Sequence, residues 1–150
     1  MRAVIQRVKS AKITIDYSVE RSIEKGLLIL LGIESDDDND DIKWLAGKIA
    51  RLRVFSDKDN KMNLPLLDIS GEVMVVSQFT LHASTKKGNT PSWIKAANPE
   101  MAKPLYNKFV KVLSSITNKD VLTGEFGAHM DIELINDGPV TIIMDTKNKE

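Results

Sequence analysis

Two short polar segments carry residue types that could do chemistry. The first is Ser77-Gln78-Phe79-Thr80-Leu81, which follows the apolar run Val73-Met74-Val75-Val76. Two hydroxyls and a carboxamide at the end of a buried strand are well placed to face a pocket, because the strand fixes their backbone. Main-chain N–H groups at such a point can also stabilise an oxyanion. Thr80 is a candidate nucleophile, but a hydroxyl nucleophile needs a base. His82 is close by, and nothing obvious in the sequence orients it. The plain alternative is that Ser77 and Thr80 are ordinary strand residues, since threonine favours strands.

The second segment is Asn136-Asp137-Gly138-Pro139-Val140-Thr141. Asn, Asp, Gly and Pro are all turn formers, so its plain reading is a hairpin turn. An X-Pro bond is cis in only about 5–6% of folded cases, so the residues alone do not predict that form. A Gly-Pro unit between two strands would still make a rigid wall. Proline fixes φ, and glycine lets the backbone approach a ligand with no side chain in the way.

These segments sit in a chain of 150 residues, long enough for one domain over residues 1–150 with a real core. Lys+Arg and Asp+Glu both number 21, so the formal charge is zero. Proteins that bind RNA by long-range electrostatics usually carry an excess of cations. Contact with RNA would therefore need a local basic patch. Lys86-Lys87-Gly88-Asn89-Thr90-Pro91-Ser92-Trp93 offers one, and a solvated loop is an equally good reading of it. The absence of cysteine excludes a disulfide framework, a thiolate nucleophile and Cys-ligated zinc, and fits a reducing cytoplasm. His82 and His129 fit no metal-ligand spacing, so neither a metal nor another cofactor is expected. The chain opens directly into a strand-like alternation, and a cytoplasmic location with no membrane partner is the expectation.

The elements that must position the two segments follow from periodicity. Residues 3–8 and 13–15 alternate as strands, and Gly26 leads into Leu27-Leu28-Ile29-Leu30-Leu31, which suits a strand buried on both faces. The acidic run Asp36-Asp37-Asp38-Asn39-Asp40-Asp41 precedes a helical pattern at Ile42, Leu45, Ile49 and Leu52. Its charge favours the positive end of a helix dipole, and EF-hand spacing is missing. Residues 55–66 read as a loop, and residues 72–81 as a strand running into a polar tip. Asn98-Pro99-Glu100 starts a second helix, with Leu105, Phe109, Val112 and Ile116 as its expected buried face. Residues 121–123, 131–136 and 140–144 return to strands. The expected class is α+β, a single domain of mixed or antiparallel, barrel-like sheet with two main helices.

Together the two segments resemble the D-aminoacyl-tRNA deacylase family. Met1-Arg2-Ala3-Val4-Ile5-Gln6-Arg7-Val8, Arg53-Val54-Phe55-Ser56-Asp57, Lys61-Met62-Asn63 and Gly127-Ala128-His129-Met130 also look like its pattern, in the same order. The resemblance implies a homodimer that hydrolyses the ester of a D-amino acid at the 3′ acceptor end of tRNA. It implies that Ser77, Gln78, Phe79 and Thr80 line the pocket. It further implies that Gly138-Pro139 is a cis dipeptide inserted from the opposite subunit, with Asn136 in its motif and Arg7 holding its orientation. No DNA partner is implied. The sequence departs from the family at Thr90, where an arginine is usual, and at Trp93, often a phenylalanine, so a phosphate contact by that loop loses support.

On this reading water attacks the ester while N–H groups around Gln78 and Phe79 steady the oxyanion, and the neighbouring 2′-hydroxyl assists proton transfer. Thr80 then positions substrate, a wall of Gly138-Pro139 carbonyls excludes L side chains, and glycyl esters escape the filter. Phe126 and Trp93 are candidates for stacking on the terminal adenine, with core packing the plainer reading; His129 reads as structural. The rival readings are an inactive RNA- or nucleotide-binding domain of the same fold, a deacylase that edits an L-amino acid, and a hydrolase using Thr80 as nucleophile.

Overall fold

The structure is a computed structural model that describes residues 1–149. Among these residues the strands are β1 (Arg2–Ile15), β2 (Val19–Ile23), β3 (Gly26–Gly32), β4 (Phe55–Ser56), β5 (Met62–Leu64), β6 (Glu72–Ser77), β7 (Val121–Thr123) and β8 (Met130–Asp145). The helices are α1 (Asn39–Ala50) and α2 (Pro99–Thr117), with 3₁₀ turns at Leu66–Ile69 and Phe79–His82. Among the described residues no helix is long and apolar enough to cross a membrane.

The main sheet runs β2-β1-β3-β6-β7, with β8 paired along the other edge of β1. β1 is antiparallel to β2, β3 and β8, whereas β3, β6 and β7 are parallel, so the sheet is mixed. Its ends approach each other, since Arg21 of β2 donates from Nη1 to the Thr123 carbonyl of β7 at 2.5 Å. That curl makes the sheet barrel-like.

β1 is too long to keep one face inward. Ala3 and Ile5 point to the helix-covered core, with Leu27, Ile29 and Leu31 of β3 and Val73 and Val75 of β6. Register shifts between Gln6 and Ser10 then rotate the strand, so Val8, Ala11, Ile13 and Ile15 face the inside of the curl with Leu28, Met74 and Val76. A bulge adds one residue and so changes which parity faces inward. β3 and β6 feed both cores by alternation, which is why they read as continuous apolar runs.

The acidic run proves to be structural. Asp38 caps α1, accepting from the N–H groups of Asp40 and Asp41 at 2.8 and 3.1 Å, while its own N–H donates to Asp41. The Met1 ammonium donates to Asp37 and, at 2.6 Å, to Thr146 Oγ1. Lys147 lies 2.9 Å from Asp41. Burial by itself would raise the Asp41 pKa, but hydrogen bonds from Lys147, Thr146 and the Asp38 N–H hold it down at about 2.

Three expectations need correction. The buried face of α2 is Ala102, Tyr106, Phe109, Leu113 and Thr117. Phe109 is shared with the expected face, but Ile116 is exposed and Leu105 and Val112 are only half-buried. Tyr106 moves the stripe because its ring packs in the core while its hydroxyl donates to the Val75 carbonyl at 2.7 Å. Burial raises the Tyr106 pKa above its ordinary value. Residues 55–66 contain a small hairpin, in which Asp57 Oδ1 accepts from the N–H groups of Asp59 and Lys61. Finally, residues 136–141 do not form a hairpin turn. They are a distortion within the single strand β8, which pairs with β1 on both sides of it.

Candidate active site

β6 ends at Ser77, and Gln78 still belongs to the sheet through its N–H, which donates to the Leu31 carbonyl at 2.8 Å. The chain then tightens into the 3₁₀ turn Phe79–His82. The first N–H groups of such a turn have no acceptor within it. Those of Phe79 and Thr80 donate to no group among the described residues. The expected donor pair therefore shifts by one residue, because the sheet already engages Gln78.

Side chains fix the turn from both sides. Gln78 Nε2 donates to Thr80 Oγ1 at 2.5 Å. Beneath it His82 is buried, with Nδ1 2.8 Å from Glu34 Oε1 and its ring against Gly32. A Cβ at Gly32 would lie 2.9 Å from that ring, so glycine there makes room for the imidazole. His82 thus has an orienting partner the sequence did not reveal. Its nitrogens are sealed from solvent, and it donates nothing to Thr80. A buried imidazole facing away from solvent cannot act as a base toward a substrate in the cavity.

The end of β6 and the first residue of the turn form one wall of a cavity of about 560 Å³, and Thr80, expected to line it, does not. Ser77, Gln78 and Phe79 line it on one side, Trp93, Ala96 and Ala102 on another, and Phe126, Met130 and Ile132 on a third. Phe79 and Trp93 lie with ring centroids 5.7 Å apart, and Phe126 meets Tyr106 edge-on at 5.9 Å. Both Trp93 and Phe126 are half-buried at the cavity wall, and Phe126 also packs against the core, as its plainer reading had it, whereas Trp93 does not. His129 also lines the cavity, stacked on Tyr17 with Nε2 3.2 Å from Asp131. Ala96 and Ile132 were not singled out from the sequence. Only the path of the loop before α2 and the curl of β8 bring them here.

Gly138 and Pro139 are elsewhere on the chain's surface. Their peptide bond is cis, both residues are exposed, and neither lines this cavity. They sit in the distortion of β8 opposite Arg7, which is buried. Arg7 Nε donates to the Asp137 carbonyl at 2.9 Å, and Nη1 donates to the Val54 carbonyl at 2.5 Å. A Cβ on Gly138 would lie 2.8 Å from Arg7 Nη2, and its φ of +134° is one that L side chains rarely adopt. Asn136 staples the distortion from inside the strand. Its Oδ1 accepts from the Val140 N–H at 3.1 Å, and its Nδ2 donates to Gln6 Oε1 at 2.6 Å. Gln6, Val54 and Asp137 stand in segments already noted in the sequence, where nothing assigned them the part they play in holding this feature.

The eight candidate residues thus form two groups. Ser77, Gln78, Phe79 and Thr80 share one turn; Arg7, Asn136, Gly138 and Pro139 share one strand distortion. The outer edge of β8 pairs with no strand among the described residues, and it exposes Leu134, Ile135 and Ile143.

Known proteins resemble this chain along its whole length. The model of the D-Tyr-tRNA(Tyr) deacylase family matches residues 4–145. A D-aminoacyl-tRNA deacylase of Flavobacterium psychrophilum is 59% identical over 150 residues, covering all of both chains. A solved structure named c-Myc DNA Unwinding Element Binding Protein is 36% identical with a TM-score of 0.90, covering 97% of this chain and 99% of its own. A structure titled as a probable eukaryotic D-amino acid tRNA deacylase shares the fold, with a TM-score of 0.82 at 15% identity over 95% of this chain and 97% of its own. With a family match that spans nearly every residue and full-length relatives at such identity, the chain belongs to the D-Tyr-tRNA(Tyr) deacylase family and is a hydrolase of that class.

Proposed function

We propose that the protein hydrolyses the ester of D-aminoacyl-tRNA to free tRNA and the free D-amino acid, in the cytoplasm and as a homodimer. The observation that carries this reading is the unengaged N–H of Phe79 at the wall of an apolar cavity, with the unengaged N–H of Thr80 next to it in the turn. Such a pair is suited to an oxyanion, and each preorganised donor is worth about 10²–10³ in rate. Water adds to the ester carbonyl, and the bond from that carbon to the ribose oxygen breaks. The proton passes to the leaving oxygen, with the neighbouring 2′-hydroxyl assisting. The aminoacyl ester is already reactive, so no Ser-His-Asp arrangement is required. Thr80 positions substrate, in keeping with the absence of an accessible base beside it.

Gly138-Pro139 acts on the partner's cavity. Its exposure, its absence from its own chain's cavity lining and the unpaired apolar edge of β8 all support docking against a second copy. There the dipeptide forms a wall that clashes with L side chains and leaves D side chains pointing outward. Glycyl esters, with no side chain, pass the same filter.

The test is hydrolysis of matched D-tyrosyl-tRNA and L-tyrosyl-tRNA with chelator present. Cleavage of the D ester alone is expected. Cleavage of both removes the wall, and cleavage of neither favours a binding domain that has lost its activity. The likeness to a DNA-binding protein makes duplex DNA the natural control, and no binding to it is expected.

A further inference from the structure

A second cavity, of about 650 Å³, lies between the C-terminal turn of α1 and the end of β8. Trp44, Lys48, Arg51, Arg53, Ile143 and Asp145 are among its walls. Lys48 and Lys149 stand over the Trp44 ring at 5.8 and 5.1 Å from its centroid. None of Lys48, Arg51, Arg53 and Lys149 forms an ion pair among the described residues. Asp145 offers them little compensation, since Arg2 holds it through Nε and Nη2 at 2.9 and 2.8 Å. Single local roles exist: Lys48 complements the α1 dipole, and Arg53 donates to the Asn63 carbonyl at 2.7 Å. Those roles do not require that Lys149 from the far end of the chain gather with the cations of residues 48–53 around one aromatic-walled groove.

The groove adjoins the first site. Ser77 pairs with Leu31, Leu31 with Ala3, and Ala3 with Met144 of the groove wall. Three strand spacings of ~4.8 Å put the two about 14 Å apart, the reach of a few nucleotides. Arg2 bridges them directly, donating to the Leu81 carbonyl at 2.6 Å beside Thr80 while it grips Asp145.

We propose that this groove holds the phosphate backbone of the RNA whose 3′ end occupies the Ser77–Phe79 cavity. The proposal rests on the deacylase reading for the identity of the RNA. It places the local basic patch demanded by the zero net charge at Lys48, Arg51 and Arg53, and not in the loop at Lys86-Lys87.

The test is fluorescence anisotropy of labelled, uncharged tRNA across a salt series, with wild type, Lys48→Glu/Arg51→Glu and Lys86→Ala/Lys87→Ala. Lys48 and Arg51 are exposed, and the neutral Lys48→Gln/Arg51→Gln variant reads the same contacts should the reversed charges impair folding. The groove variants should bind at least about 10-fold more weakly, with a salt slope shallower by about 1–2, while the loop variant binds as wild type does. KM for D-tyrosyl-tRNA should rise in proportion, with kcat unchanged, and cleavage of D-tyrosyl-adenosine, which lacks the stem, should be unaffected. Unchanged tRNA affinity in the groove variants overturns the proposal. So do loss of binding in the loop variant instead, equal competition by duplex DNA, and failure of wild type to bind tRNA at all. Loss of tRNA binding in the groove variants of a protein that cleaves no D ester would retain the groove and refute the deacylase reading. Unaltered KM in an active enzyme would do the reverse.

Discussion

The turn after β6 and the distortion in β8 both fix main-chain groups outside regular strand geometry, by different means. The first is fixed by the sheet and by a 3₁₀ turn, with Gln78 bonded to Leu31 before Phe79 and Thr80 open outward. The second interrupts the ladder, so side chains must replace the missing contacts: Arg7 from β1 and Asn136 from the strand itself. Backbone-held sites tolerate side-chain change. A distortion held by side chains should not, because each buried partner left behind carries an unmet hydrogen bond.

That contrast can be broken most sharply at Arg7. Replacing it with Ala leaves the carbonyls of Val54 and Asp137 without their donor, and should cost about 2–4 kcal/mol in urea unfolding along with most activity. Next is Gly138→Ala, whose new methyl meets Arg7 Nη2. It should lower kcat/KM for D-tyrosyl-tRNA by about 100-fold, the cost of a misplacement near 1 Å, and should also lower the melting temperature, because alanine is strained at a φ of +134°. Asn136→Ala removes the acceptor for the Val140 N–H and should cost about 1–2 kcal/mol in the same unfolding assay.

The turn should be more forgiving. Thr80→Val removes the acceptor of the Gln78 bond but leaves both N–H groups, so kcat should fall about 10-fold or less; a complete loss with substrate binding intact would restore Thr80 as nucleophile. Asp41 belongs to neither region and sharpens the comparison as a control. Its folded pKa lies below its ordinary value of 3.8, so its stabilisation is complete above pH 4 and lost as pH falls through about 2. Discounted for solvent screening, that loss is about 1–2 kcal/mol, visible in acid unfolding of wild type and absent from Asp41→Asn. Neutral-pH turnover should be the same in both.

Much of this molecule was legible in its residues. The apolar run at 27–31 suits a strand covered on both faces, 72–81 reads as a strand, Asn98-Pro99 is a good helix start, and the acidic run precedes a helical pattern. These are local matters of periodicity, capping and charge, which a chain settles within a turn or two. The two polar segments were equally visible, as types of residue in a known order. Tertiary structure alone decided that Asn136–Thr141 interrupts a strand where its residues suggested a hairpin, because pairing with β1 on both sides outweighs the turn preference of four residues. It also decided that Tyr106 rather than Ile116 faces the core, that Glu34 orients His82 beneath the turn, and that Lys48, Arg51 and Arg53 share a groove with Ile143 and Asp145 of β8. Each of these depends on contacts between residues distant in sequence, where neither spacing nor propensity carries information.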